Sequence, residues 1–86
     1  MTEFEALSKL KDIICKVSGK NIQIDINQDL RNDNILDSLD ILLFFMELEK
    51  ESGISIPETE ELIQNGWYNI RKLCDELIKF HSDHDK

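Results

Sequence analysis

Eighty-six residues, 41% of them apolar and 33% charged, supply one small hydrophobic core and are too few for two. The longest apolar run, Ile41 to Met46, falls far short of the roughly 20 residues a bilayer span needs, and the first residues lack the basic-then-apolar order of a signal segment. A net charge of -8 makes phosphate backbones and anionic membranes poor partners, so the chain is expected to be soluble, cytoplasmic and monomeric, without nucleic acid or membrane insertion.

The charge is unevenly spread. From Asp37 to Glu61 there are eight acids and one base, Lys50, whereas the rest of the chain holds ten acids and nine bases. An acidic segment beside a balanced remainder suggests a docking surface for basic partners, although a solvated helical face also accounts for part of it. The two cysteines, Cys15 and Cys74, lie far apart in helical patterns, which predicts reduced, partly buried thiols.

In chain order, Phe4, Leu7, Leu10, Ile14 and Val17 recur at three- and four-residue steps and predict an amphipathic helix from Glu3 to Val17 with these five on its apolar face. Thr2 and Glu5 have capping-box spacing at its start, and Ser18-Gly19 ends it. From Gly19 to Asp37 turn residues alternate with Ile22, Ile24, Ile26, Leu30, Ile35 and Leu36, which predicts a long loop ordered by its own apolar side chains. The Ile22/Ile24/Ile26 alternation also suits a short strand, but no other segment offers it a partner.

A second helix is predicted from Ser38 to Ser52, with Ile41, Phe44, Phe45, Leu48 and Ser52 on its core side. Leu39, Leu42, Leu43 and Met46 then form a second apolar stripe on roughly the opposite side. Gly53 suits a left-handed helix end, 54–56 is extended, and Pro57 is placed at the first position of a short third helix with Glu58, Glu60 and Glu61 near its positive pole. Asn65-Gly66 stops that helix. A last helix is predicted from Tyr68 to Phe80, followed by a polar, fraying tail over 81–86.

Several sites are unsupported. Asp25-x-Asn27-x-Asp29 opens like a calcium loop, but Leu30 stands where the turn needs Gly and Leu36 where a bidentate Glu is required. His81 and His84 lack further metal ligands nearby, and with both histidines in the tail no Ser-His-Asp set forms. No metal site, catalytic residue or enzymatic activity is therefore expected. The informative stretch is Leu36-Asp37-Ser38-Leu39-Asp40, a hydroxyl between acids at the head of the most apolar helix. By itself Ser38 is accounted for as an N-cap. The long loop before it, the acidic helix with a spare apolar stripe after it, and the further helices together suit a four-helix bundle.

On these residues the chain resembles the acyl carrier protein family, including its peptidyl and D-alanyl carriers. Asp37-Ser38-Leu39 is similar to the family's attachment motif, with Asp40 as in fatty-acid carriers. Leu48-Glu49-Lys50-Glu51 and Gly53-Ile54-Ser55-Ile56-Pro57 resemble the end of its second helix and the approach to its third. Asp29-Leu30 and Asn34-Ile35-Leu36 resemble its loop anchors.

The resemblance implies an all-α four-helix domain over 1–80 and a 4'-phosphopantetheine arm transferred from coenzyme A to Ser38 by a separate transferase, with Asp37 and Leu39 beside it. It also implies an acyl or aminoacyl cargo held as a thioester, with loading and acyl-processing enzymes as partners. Asp40, Leu42, Leu43, Met46, Glu47 and Glu49 are the expected partner-binding residues.

Departures point to a specialised pathway. Fatty-acid carriers typically have Glu where this chain has Leu43 and Ala where it has Glu47, and Lys50 interrupts the acidic run. Trp67 before the last helix is similar to D-alanyl carriers, although an indole there also serves as core. An aminoacyl or D-alanyl carrier, and a non-catalytic interaction module with a degenerate carrier fold, stay open as alternatives.

Overall fold

The computed structural model of the chain describes residues 1–84, with side chains as far as Ser82, and contains four helices: α1 Glu3–Ser18, α2 Ser38–Ser52, α3 Thr59–Gln64 and α4 Ile70–His84. The described residues contain no strand, only an isolated antiparallel bridge between Asp29 and Asn69. The radius of gyration, 12.0 Å, is what one compact domain of this length requires. The architecture is the all-α four-helix type expected.

The α1 start carries the full capping box: the Glu5 amide donates to Thr2 Oγ1 and the Thr2 amide to Glu5 Oε1, each at 3.1 Å. Gly19, at φ 72°, closes the helix in the left-handed conformation that Gly adopts without a Cβ clash. α1 packs against both α2 and α4. It therefore needs a broad buried face, and Ala6, Leu10, Ile13 and Ile14 supply it.

Phe4 is not on that face. It is 80% exposed, whereas Leu7 and Val17 are half-buried. At 100° per residue Phe4 lies about 130° from the centre of the buried set, so a periodicity reading that includes it aims the helix wrongly.

The long loop is ordered by bonds and burial. Leu30 and Leu36 are buried, while Ile22, Ile24, Ile26 and Ile35 pack against the core from the side. The Leu30 amide donates to Tyr68 O at 2.8 Å and the Ile70 amide to Gln28 O at 2.9 Å, tying the loop to the start of α4. Asp29 Oδ1 accepts from the Arg31 and Asn32 amides, while the Ile35 and Leu36 amides both donate to Leu30 O. Asn34, a residue that tolerates the left-handed region, completes the turn at φ 55°. This compact turn delivers Asp37 to the head of α2.

α2 has the predicted bounds, and Ile41, Phe44, Phe45 and Leu48 are its buried side. Gly53 ends it at φ 80°. Further on, three boundaries shift. Pro57 precedes α3 by two residues, and the extended Glu58 is the N-cap, with no side-chain cap bond. The Ile56-Pro57 pair disfavours α geometry just before the ring, and Pro57 becomes part of a groove wall. α4 begins at Ile70, because Asn69 is held in the bridge, and runs past Phe80 to His84. Of the expected 81–86 tail, residues 85 and 86 and the Asp83 and His84 side chains lie outside the described residues. Trp67 is buried in the core, as are Leu62, Leu73, Cys74 and Leu77.

Candidate functional site

The head of α2 is built by Asp37. Its carboxylate accepts from the Asp40 amide at 2.9 Å and its carbonyl from the Ile41 amide at 2.9 Å, so Asp37 is the N-cap. Ser38, the first residue of α2, is thus free of the capping duty that would otherwise explain it. Its side chain is exposed, and among the described residues its hydroxyl makes no hydrogen bond. The Ser38 and Leu39 amides likewise have no acceptor among the described residues, leaving two N–H groups at the positive end of the helix dipole.

Beside Ser38 opens a groove of about 480 Å³ between α2 and the segment leading into α3. Ile41, Leu42, Phe45 and Met46 form one wall; Ile56, Pro57, Leu62 and Tyr68 form the other. The Tyr68 ring lies against Phe45, centroids 5.9 Å apart. Ser38, Glu49, Glu58 and Thr59 supply polar groups around the opening. Sequence reasoning marked Leu42 and Met46 but missed the opposite wall, because the chain folds those residues back onto α2 without any local motif.

The other predicted residues divide around the helix. Leu39, Leu42, Leu43 and Met46 are 64%, 57%, 41% and 62% exposed, so the second apolar stripe is indeed uncovered. Asp40 is half-buried and borders a polar cleft with Ser18, Lys20, Asp33 and Asp37. Glu49 faces the groove and accepts from the Ile56 amide at 3.4 Å. Glu47 turns the other way: its Oε2 sits 2.8 Å from Lys16 Nζ on α1. Glu51 joins the same cluster, 3.6 Å from Lys16 and 3.7 Å from Lys9. The hydrogen bond from Lys16 holds the Glu47 carboxyl below its ordinary value, and the same bond raises the Lys16 ammonium.

Two of the eight acids in the middle segment are therefore neutralised within the domain. Asp37, Asp40, Glu49, Glu58, Glu60 and Glu61 form no ion pair among the described residues. Asp25 and Asp29, the start of the rejected calcium loop, accept hydrogen bonds from backbone amides in their own turns.

The domain is thus small and helical, with an unbonded hydroxyl at a helix head beside an apolar groove. The family model for the phosphopantetheine attachment site matches residues 8–77. The chain is 34% identical over 65 residues to an acyl carrier protein of Lactobacillus acidophilus, covering 70% of this chain and 76% of that protein. It is 30% identical over 90 aligned positions to an acyl carrier protein of Rickettsia bellii, covering 95% and 96% of the two chains. No solved structure gives a significant match.

The chain belongs to the acyl carrier protein family. It is thus a non-catalytic carrier whose cofactor is a covalent 4'-phosphopantetheine, and members of this family work with a phosphopantetheinyl transferase and acyl-processing enzymes. No helix among the described residues is long and apolar enough to cross a membrane.

Proposed function

We propose that Ser38 carries the 4'-phosphopantetheine arm and that the domain delivers an acyl or aminoacyl group to the enzymes of a specialised biosynthetic pathway in the cytoplasm. The observation that carries this reading is the exposed, unbonded Ser38 hydroxyl in Asp37-Ser38-Leu39, at the first position of α2 and on the rim of an apolar groove. When attached, the arm supplies a terminal thiol that holds the cargo as a thioester.

The chain's own residues suit that load. Asp37 takes over the cap, so substitution of the Ser38 hydroxyl breaks no bond that the helix needs. The free Ser38 and Leu39 amides and the α2 dipole favour a negative phosphodiester at this place. The groove walls of Leu42, Phe45, Ile56 and Leu62 can shield an apolar chain from water, while Ser38 stays at the rim where a partner reaches it.

Specialisation is supported by Leu43 and Glu47. Leu43 leaves the outer face of α2 apolar where fatty-acid carriers are typically acidic, and Glu47 is occupied by Lys16. Asp37 and Asp40 at the helix head remain to steer basic partners, and a long tether lets weak docking suffice. Incubation with coenzyme A and a broad-specificity phosphopantetheinyl transferase, followed by intact-mass measurement, is expected to show one added arm, absent from Ser38→Ala. An arm added to Ser38→Ala, or none added to the wild type by several transferases, contradicts the assignment.

A further inference from the structure

The alternation of Ile22, Ile24 and Ile26, which suits a strand but finds no partner strand, persists in the folded chain. Over residues 21–26 exposed and half-buried residues alternate strictly, the isoleucines packing against the core while Asn21, Gln23 and Asp25 face water. The Ile22 amide lies 3.4 Å from Cys15 Sγ, and that sulfur lies 3.7 Å from Ile22 O, so both backbone groups of one residue point at α1. An extended chain does this, and its pleat sends the N–H and C=O of the flanking residues to the opposite edge. Those residues are Asn21 and Gln23, and none of their four backbone groups has a partner among the described residues. The edge is fixed at both ends. The Gln23 side chain accepts from Lys11 Nζ at 3.2 Å, and the Asp25 amide donates to Gln28 Oε1 at 2.7 Å.

We infer that the edge at 21–23 takes an extended segment of a partner protein as an added strand, with a cationic side chain directed into the adjoining polar cleft. An unpaired edge is a template for such pairing, and the isoleucines already anchor the receiving chain, so binding has little order left to impose on it. Charge complementarity selects the cation. Ile22 and Gln23 line the cleft of about 460 Å³ that also holds Lys20, Asp33, Asp37 and Asp40. Three acids there face one base, and none of the four forms an ion pair among the described residues. A second copy pairing edge to edge is disfavoured, since it brings a net charge of -8 and its own three acids to the same place. The inference does not depend on the Ser38 assignment. A strand seated here leaves the apolar groove on the other flank of α2 open, so a partner is tethered while Ser38 stays accessible.

Three end-blocked peptides of about eight alternating Thr and Val residues test this. One has a central Arg, one has Glu in its place, and one is the Arg peptide with its backbone amides N-methylated, which keeps the side chains and removes the donors. Binding to the full-length chain is followed by ¹⁵N chemical shifts and by the rate at which each amide exchanges with water. The Arg peptide is expected to slow exchange at Asn21 and Gln23 and to leave Ile22, which faces Cys15, at its own rate. It is expected to bind roughly threefold to tenfold more tightly than the Glu peptide, a ratio that falls toward one in about 1 M salt. The N-methylated peptide is expected not to bind. Gln23→Pro removes a donor from the edge and is expected to lose binding, whereas Gln23→Thr loses only the Lys11 bond and is expected to keep it. Circular dichroism melts establish that both variants fold.

Equal binding of the N-methylated peptide overturns the inference, and this comparison needs no variant of the chain. No protection of Asn21 and Gln23 by the Arg peptide at millimolar concentration, a tighter Glu peptide, or undiminished binding by folded Gln23→Pro also overturns it. So does a dimer in sedimentation whose formation protects the same two amides, since a second copy is then the occupant.

Discussion

Leu43 and Phe44 are neighbours in sequence with opposite environments, and substituting each tests which face of α2 is core. Phe44 is fully buried and meets the Phe45 ring edge-on, centroids 5.2 Å apart. Truncating such a ring costs about 3–5 kcal/mol, from lost transfer energy and the cavity left behind. At about 0.05–0.15 kcal/mol per residue the whole domain is stable by about 4–13 kcal/mol, so Phe44→Ala removes a large part of it. Leu43 is 41% exposed. Full burial of a Leu contributes about 1.5–3 kcal/mol, a little over half of it is realised here, and the stem of a Glu recovers part of that. A new like-charge contact with Glu47 one turn away adds a few tenths. Leu43→Glu is therefore expected to cost about 1 kcal/mol, near 4–8 °C in Tm, against at least about 12 °C for Phe44→Ala. Urea and thermal melts followed by circular dichroism measure both. If Leu43→Glu loses as much as Phe44→Ala, the outer stripe is core and every docking conclusion drawn from it is wrong.

Three further outcomes are expected. Asp37→Ala loses the cap bond to the Asp40 amide and about 1 kcal/mol of stability in urea melts, whereas Asp37→Ser keeps the cap and separates its role from the charge. The Glu47 carboxyl is held below its ordinary 4.5 by Lys16, so its contribution is present above pH 4.5 and is lost as pH falls through the lower folded value. Lys16, raised above its ordinary 10.5, contributes below that pH and loses its contribution as pH rises further. Lys16→Met is thus expected to flatten the acid limb of Tm against pH, by an amount that shrinks with added salt; an identical limb in both proteins removes the pair from the account. Burial pushes the Cys74 thiol up to about 11, so iodoacetamide at pH 8 should label Cys15 first and reach Cys74 only as the domain opens, as read by peptide mass mapping. Equal labelling rates in the folded protein would place Cys74 at the surface.

The sequence by itself determined whatever depends on neighbours along the chain. The Thr2/Glu5 capping box, the left-handed stops at Gly19 and Gly53, and the bounds of α2 are local, because each satisfies backbone groups within one turn. The two apolar stripes on α2 were legible for the same reason: one helix with a fixed 100° step can be projected without knowing what it packs against. Asp37-Ser38-Leu39 could be read as a motif, but Ser38's freedom from the cap could not, since either residue suits an N-cap and only the backbone angles choose.

Tertiary structure decided what depends on packing between distant segments. Phe4 shares the apolar periodicity of α1, yet the burial of that helix between α2 and α4 centres its core face on Ala6, Leu10, Ile13 and Ile14 and leaves Phe4 in water. The far wall of the groove comes from Ile56, Pro57, Leu62 and Tyr68, which approach Ser38 only when α3 folds back. Glu47 looks like docking charge until Lys16, thirty-one residues earlier, reaches it at 2.8 Å. Periodicity states that a helix has an apolar side. Which side chains are covered, and which charges are already paired, follows from the helices it meets, because burial and Coulomb attraction act through space and not along the chain.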